Sequence, residues 1–233
     1  MIDYESRVQL LYEAILRPGD ACIDVGAHEG RHMFPMARCV SPGGRVFAFE
    51  PIPGMFEALQ GEILKRVKGP IVEFFPFAAS DNEGESEFVL AVDNLGYSGL
   101  RERVYDTPTR LERIRVQTRK LDTVLSHVDA LRFIKIDVEG GEWGVIRGAA
   151  SLIERCRPVI GFEFGFNSYE KYGVDPSQVF EFFRSRDFHV MDILGRALGA
   201  QQFVESSRVQ QVWDYAAAPS ELSREVANAL RGT

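Results

Sequence analysis

The sequence predicts an α/β protein built on a doubly wound, mostly parallel sheet. Three observations carry this. Strand-like and helix-like stretches alternate from residue 21 onward, the pattern that builds βαβ units. The stretch Ala21-Cys22-Ile23-Asp24-Val25-Gly26-Ala27-His28-Glu29-Gly30 runs from a short apolar strand into a glycine turn, and Arg31 to Cys39 reads as a helix. A strand, glycine turn and helix make the first half of a nucleotide-binding βαβ unit. Leu131 to Ile136 is nearly continuous in apolar residues, as expected of a strand covered on both faces.

Taken in order, Asp3 to Leu16 places Val8, Leu11, Tyr12 and Ile15 on one helical face and ends at Pro18-Gly19. This N-terminal helix (residues 1–19) is expected to pack on the sheet and partly lid a pocket. Strand one, Ala21 to Val25, carries Asp24 at its carboxyl end, where open α/β sheets bind ligands. The next helix stops at Ser41-Pro42-Gly43-Gly44. Strand two, Arg45 to Phe49, ends in Glu50. That acid lies roughly 20 residues past the turn, where such folds hold a ribose diol. Pro53 suits the first turn of a helix carrying Phe56, Leu59, Ile63 and Val67, which Gly69-Pro70 ends. Strand three runs from Ile71 to Phe77 and leads into Ala78-Ala79-Ser80-Asp81.

Residues of about 82–119 read as a β-hairpin-type insertion. Ser86 to Val92 and Arg113 to Arg119 are β-type runs, joined by Asp93 to Pro108, a mobile loop longer than the ~12 residues usual in compact domains. It is expected to cover a substrate pocket. Leu121 to Val128 is a short helix. After strand Leu131 to Ile136, Trp143, Ile146, Ala149, Ala150 and Ile153 share one helical face. Pro158 to Phe164 is a buried strand ending near Glu163. Asp175-Pro176 caps another helix. His189 to Ile193 and Gln211 to Tyr215 are the last strands, and Pro219-Ser220 begins a C-terminal helix (residues 220–233). The main domain is expected to span residues 20–219.

The chain has 233 residues, 45% of them hydrophobic, enough for one well-buried core. A net charge of -7 argues against general affinity for nucleic acid. Cys22, Cys39 and Cys156 form no CxxC pair and are odd in number, as in a cytoplasmic protein with reduced thiols. Asp3, Glu5, Arg7 and Glu13 exclude a signal peptide over the first helix, and no apolar run nears the ~20 residues of a membrane span.

The glycine spacing narrows the cofactor. A dinucleotide fingerprint, G-x-G-x-x-G, uses its second glycine to let the backbone approach a pyrophosphate. Here His28 stands between Gly26 and Gly30, giving D-x-G-x-x-x-G. This suits a nucleoside with an amino-acid tail: Asp24 and backbone groups for an ammonium, Glu50 for the diol. S-adenosylmethionine has both groups.

Asp24-Val25-Gly26-Ala27-His28-Glu29-Gly30, Phe47-Ala48-Phe49-Glu50-Pro51, Ala78-Ala79-Ser80-Asp81 and Ile134-Lys135-Ile136-Asp137-Val138-Glu139-Gly140 occur in an order and spacing that resemble the FkbM-type S-adenosylmethionine-dependent methyltransferases. The resemblance covers roughly residues 20 to 215. It implies a Rossmann-like, seven-stranded sheet whose last strand is antiparallel, and methyl transfer to a hydroxyl of a sugar, lipid or natural product. It implies that Asp24, Gly26, Ala27, His28 and Gly30 form the cofactor turn and that Glu50 accepts from the ribose. Pro51 and Ile52 would flank the adenine, Ala79 and Ser80 its edge, and Asp137 the methionine tail and reaction centre. The chain departs from the family pattern at His28 and Glu29, where Asn and an apolar residue are usual.

Methyl transfer needs an aligned acceptor oxygen, excluded water and a base or metal to take the proton. Asp137, Glu139, Glu142 and Glu163 lie at or near strand ends, so Asp137, Glu139 and His28 are the catalytic candidates. Asp137, Glu139 and Glu163 are also possible ligands for Mg²⁺. The bland alternative makes Glu139 a helix cap and Glu142 a solvent-facing residue near a helix N-terminus. His28-Glu29-Gly30-Arg31-His32 matches H-E-x-x-H, but its first histidine sits in a turn rather than on a helix face, which argues against zinc. Tyr97, Ser98 and Glu163 are candidate substrate contacts. Lys135 aims at substrate or lays its stem along the strand end. Arg101, Arg103, Arg110, Arg113 and Arg115 make the insertion locally basic, as a solvated face or for an anionic acceptor. The expected partner is a small-molecule or glycan acceptor, and the terminal helices could pair in a homodimer. Competing readings are a nicotinamide-dependent oxidoreductase and a non-catalytic nucleoside-binding domain.

Overall fold

The computed structural model describes residues 2–66 and 71–232. The sequence expectations for Val67 and Gly69-Pro70 lie outside the described residues. Ten strands are present among those described: β1 (Ala21–Val25), β2 (Arg45–Phe49), β3 (Ile71–Phe75), β4 (Ala78–Ala79), β5 (Gly84–Ala91), β6 (Leu111–Arg119), β7 (Phe133–Ile136), β8 (Val159–Glu163), β9 (Phe188–Asp192) and β10 (Asp214–Pro219). Seven form the main sheet in the order β3-β2-β1-β7-β8-β10-β9. β3, β2, β1, β7 and β8 pair in parallel, and β10 runs antiparallel to both β8 and β9. The seven-stranded sheet with its antiparallel last strand is therefore as the resemblance implies. Chain order reverses between β1 and β7, so the crevice at their carboxyl ends is the topological switch point where open α/β sheets bind ligands.

Alternation of side chains divides the sheet into two faces. Ile23, Val25, Ile134, Ile136, Ile160 and Phe162 point to one side, packed against α4 (Leu121–Val124), α5 (Glu142–Gly148), α6 (Ala150–Cys156), α8 (Pro176–Arg184) and α9 (Ala200–Arg208). Cys22, Val46, Ala48, Phe133, Val159 and Ala216 point to the other, under α1 (Tyr4–Ile15), α2 (Met33–Val40), α3 (Pro53–Arg66) and α10 (Ser223–Arg231). A short α7 (Phe166–Tyr169) follows β8. The Asp3 side chain caps α1 by accepting from the Ser6 amide, and Val8, Leu11, Tyr12 and Ile15 are buried as the periodicity predicts. α1 and α10 bury their apolar faces within the chain, and the Arg7 guanidinium donates to the Leu230 carbonyl at 2.9 Å.

Several boundaries differ from the sequence expectation. The helix after β7 is broken at Ala149, and Gly148 beside the break lies so close to the Ser80 carbonyl that no Cβ would fit. The last strand extends to Pro219, so Pro219 closes a strand instead of opening the terminal helix. Strand three is shorter, and Ala78–Ala79 joins β5 and β6 in a separate sheet of order β4-β6-β5. This insertion packs Phe88 and Val116 onto Ile52 and Ala78. The segment between β5 and β6, expected to be a mobile loop, is tied down along its length. Val89 and Gly99 exchange backbone bonds, Ala91 N donates to the Ser98 hydroxyl, and Val104 N donates to the Asn167 carbonyl. The basic face is internally paired: Arg113 with Glu87 and Glu102, Arg115 with Glu85, Arg110 with Asp93. Such exposed pairs are what a solvated charged face shows. Among the described residues, no helix is long and apolar enough to cross a membrane.

Candidate active site

A cavity of about 640 Å³ opens at the carboxyl ends of β1 and β7. Its floor is the turn after β1. Gly26 has φ +79°, and a Cβ there would collide with the Asp137 carbonyl. The position therefore needs glycine for both conformation and space. The Gly26 and Ala27 amides both donate to the Phe49 carbonyl, at 3.1 and 3.0 Å. A phosphate cradle needs free amides, so this turn is spent on holding β2 beside β1. His28 follows with φ +47°, a left-handed conformation in which Asn, Asp and His are enriched. That tolerance lets histidine occupy this turn position. Burial lowers the His28 pKa, and its buried Nε2 has no hydrogen-bond partner among the described residues.

Glu50 closes one side. Its two oxygens accept the amides of His28 (2.9 Å) and Ile52 (2.8 Å), which fixes the carboxylate at the cavity wall. Each oxygen keeps a second lone pair for a diol. Burial raises its pKa, against the pull of the two amides. Pro51, Ile52 and Ala79 line the same end, with Phe77 and Phe88.

At the other end stand Asp137, Glu139 and Glu163, which offer one oxygen each within 4.8 Å of one another. Glu139 is an ion pair with Arg103 of the insertion, so it does not cap the next helix. Burial, Asp137 and Glu142 push its carboxyl up, against the guanidinium. Glu163 accepts from the Ser168 hydroxyl at 3.1 Å and faces Asp214 across the β8–β10 pair. Burial first, then Glu139 and Asp137, raise its pKa. The expectation of a solvent-facing Glu142 is overturned. It is fully buried, and its Oε1 accepts the amides of Val138 and Gly140, each at 3.0 Å.

Burial raises the Glu142 pKa from 4.5 to about 7. Between those values the folded chain holds more protons here than the unfolded chain. The group's stabilising contribution is therefore full below about pH 4.5 and lost as pH rises through 7. Glu142→Gln keeps the accepting oxygen and never ionises. Thermal unfolding should show it near wild type at pH 5 and more stable, by of order 5 °C, at pH 8. An equal shift at both pH values would contradict this assignment.

Three sequence candidates stand elsewhere than expected. Asp24 is fully buried on the face covered by α1 and α2, off the cavity wall; Gly30, packed on Phe34 and Leu59, and Ser80, beside Gly144 and Gly148 of α5, are off that wall too. Ser98 lines the cavity but spends its hydroxyl on the Ala91 amide. Tyr97 lines it with its ring under the Arg103 guanidinium, 4.6 Å away. The second histidine of H-E-x-x-H, His32, bonds Glu5 at 2.6 Å and Tyr12, so the motif forms no metal site. Lys135, read from sequence as aimed at substrate or laid along the strand end, lines the wall. Sequence reasoning missed Tyr4, Glu5, Trp213 and Asp214 as wall residues, which come from distant segments with no local motif.

The arrangement fits an adenosyl amino acid. A buried acid with spare lone pairs holds one end, a carboxylate-rich pocket the other, and an orphaned His28 nitrogen stands in the turn between them.

The methyltransferase FkbM domain model matches residues 24–190. The 31-O-demethyl-FK506 methyltransferase FkbM of Streptomyces tacrolimicus is 29% identical over 170 residues, 62% of this chain and 65% of its own length. The chain thus spans just under two thirds of that relative. The crystal structure of methyltransferase FkbM from Methylobacillus flagellatus superposes with a TM-score of 0.52 at 15% identity, covering 93% of this chain and 55% of that one. A Streptococcus mutans protein assigned as a methyltransferase, crystallised with S-adenosylhomocysteine, gives 0.50 at 11% identity, over 94% and 99%. At these identities the two structures share the fold alone. The chain belongs to the methyltransferase FkbM domain family.

Proposed function

We propose that this protein transfers the methyl group of S-adenosylmethionine to a hydroxyl oxygen of a small-molecule acceptor, a sugar, lipid or natural product. The observation that carries the reading is the cavity at the switch point, with Glu50 fixed at one end and Asp137 at the other. The relative named for a 31-O-demethyl substrate supports oxygen as the accepting atom. When bound, the cofactor supplies a methyl on a positively charged sulfur, open to in-line attack. Glu50 accepts from the ribose hydroxyls. Ile52 and Ala79 offer apolar surface to the adenine. Asp137, Glu139 and Glu163 line the far end, where the acceptor enters beside Tyr97. Glu163, oriented by the Ser168 hydroxyl and grouped with Asp137 and Glu139 at the acceptor end, takes the acceptor proton. Arg103 holds Glu139 and closes the insertion over that end.

A second reading rests on the spacing of the three carboxylates. They could hold Mg²⁺, which would lower the pKa of the acceptor hydroxyl directly. The committed amides of Gly26 and Ala27 count against a dinucleotide oxidoreductase.

The test is a panel of hydroxylated sugars, lipids and polyketides incubated with methyl-tritiated cofactor, with and without EDTA. Label is expected on an acceptor oxygen. Persistence in EDTA favours Glu163 as the base, and loss restored by Mg²⁺ favours the metal. Binding of S-adenosylhomocysteine with no transfer to any acceptor would instead favour a non-catalytic nucleoside-binding domain.

A further inference from the structure

Lys135 is a charged residue of the cavity wall to which the reading above gives no role. It is 5% exposed and lies beside Asp24 in the β1–β7 register, on the face under α1. Its Nζ donates to the Gly26 carbonyl at 3.2 Å and stands 3.4 Å from one oxygen each of Asp24 and Asp137. Both ion-pair contacts are longer than the roughly 2.7–2.9 Å of a charge-assisted hydrogen bond. Among the described residues no well-aligned donor reaches either Asp24 oxygen beyond this Lys135 contact, and Asp24 is not on the cavity wall. It supports the lysine from behind. Burial opposes the charge on Lys135, but Asp137, Asp24 and Glu5 outweigh it and hold the ammonium protonated.

The other permanently charged cations of the wall are committed. Arg31 pairs with Glu5, and Arg103 pairs with Glu139. Lys135 and Asp137 therefore present one positive and one negative group, side by side, at the mouth of the Gly26 turn.

We propose that Lys135 binds the carboxylate of the cofactor's amino-acid tail while Asp137 binds its ammonium, with Asp24 as the buried counter-charge that positions Lys135. This rests on the cofactor reading above. It transfers the recognition of the tail from Asp24, the residue the glycine-turn motif suggests, to the neighbouring strand. A zwitterion satisfies both wall groups at once. A nucleoside without the tail, or with an amine alone, satisfies one or neither.

Calorimetry with three ligands separates the contributions. S-adenosylhomocysteine carries the whole tail, its decarboxylated analogue keeps only the ammonium, and 5′-methylthioadenosine keeps neither. Lys135→Met should weaken S-adenosylhomocysteine about 10- to 100-fold, the worth of a hydrogen bond to a charged group. The other two ligands should change less than about threefold, reporting an intact adenosine half. Because Lys135→Met strands Asp24 without a cation, the double variant Asp24→Asn/Lys135→Met is measured beside it, removing both buried charges. The same selective loss is expected. Unchanged S-adenosylhomocysteine affinity in both variants, or parallel loss for all three ligands, would overturn the assignment. Failure of the wild-type protein to bind any of the three would instead overturn the cofactor reading on which it rests.

Discussion

Gly26→Ala abolishes cofactor binding. The added methyl would meet the Asp137 carbonyl, a backbone atom held in the β1–β7 ladder region by the Asp137 amide bond to the Val25 carbonyl at 3.2 Å. Neither partner can yield without separating the carboxyl ends of the two central strands. The positive φ at Gly26 adds strain for any other residue. Displacing the turn moves His28, and with it one of the two amides that fix Glu50. The expected loss in S-adenosylhomocysteine affinity exceeds about 100-fold, since both ends of the site move together. Circular dichroism should still report a folded chain, because the substitution lies at the rim of the sheet. Wild-type affinity in Gly26→Ala would contradict the geometry of the turn.

Glu50→Ala has the second largest effect. It removes the acceptor for the ribose and leaves the His28 and Ile52 amides without their partner. A loss of about 100-fold in S-adenosylhomocysteine affinity is expected, from two or more bonds to a charged group. Glu50→Gln keeps one accepting oxygen and should lose less, about tenfold. The pH dependence distinguishes the two forms. Burial raises the Glu50 pKa, so protonation weakens its hold on the diol at higher pH than an ordinary carboxylate would. Wild-type affinity should fall on acidification toward that raised value, and Glu50→Gln should lack this dependence. If Glu50→Ala binds as wild type, the ribose is held elsewhere.

The fold was legible because its signals are local. The burial of Cys22, Ile23 and Val25 and of Phe133, Ile134 and Ile136 follows directly from continuous apolar runs in central parallel strands. Glu50 and Asp137 could be placed because each lies at a strand's carboxyl end, and topology brings those ends together. What escaped reading was set by contacts between distant segments. Asp24 is off the cavity wall, where its partner in the β1–β7 register, Lys135, stands with its Nζ 3.4 Å from one oxygen each of Asp24 and Asp137. The Arg103–Glu139 pair joins residues 36 apart through the insertion. The close approach of Gly148 to the Ser80 carbonyl beside the interruption at Ala149 is a contact no helical periodicity records. Trp213 and Asp214 reach the site only because β10 inserts between β8 and β9.

The central claim is that this cavity is built for an adenosyl amino acid and not for a dinucleotide. Titration of the wild-type protein with S-adenosylhomocysteine and with NAD, by calorimetry under the same conditions, tests it most directly. Saturable one-to-one binding of S-adenosylhomocysteine with no heat from NAD is the predicted result. Binding of NAD, or no binding of S-adenosylhomocysteine, would contradict it.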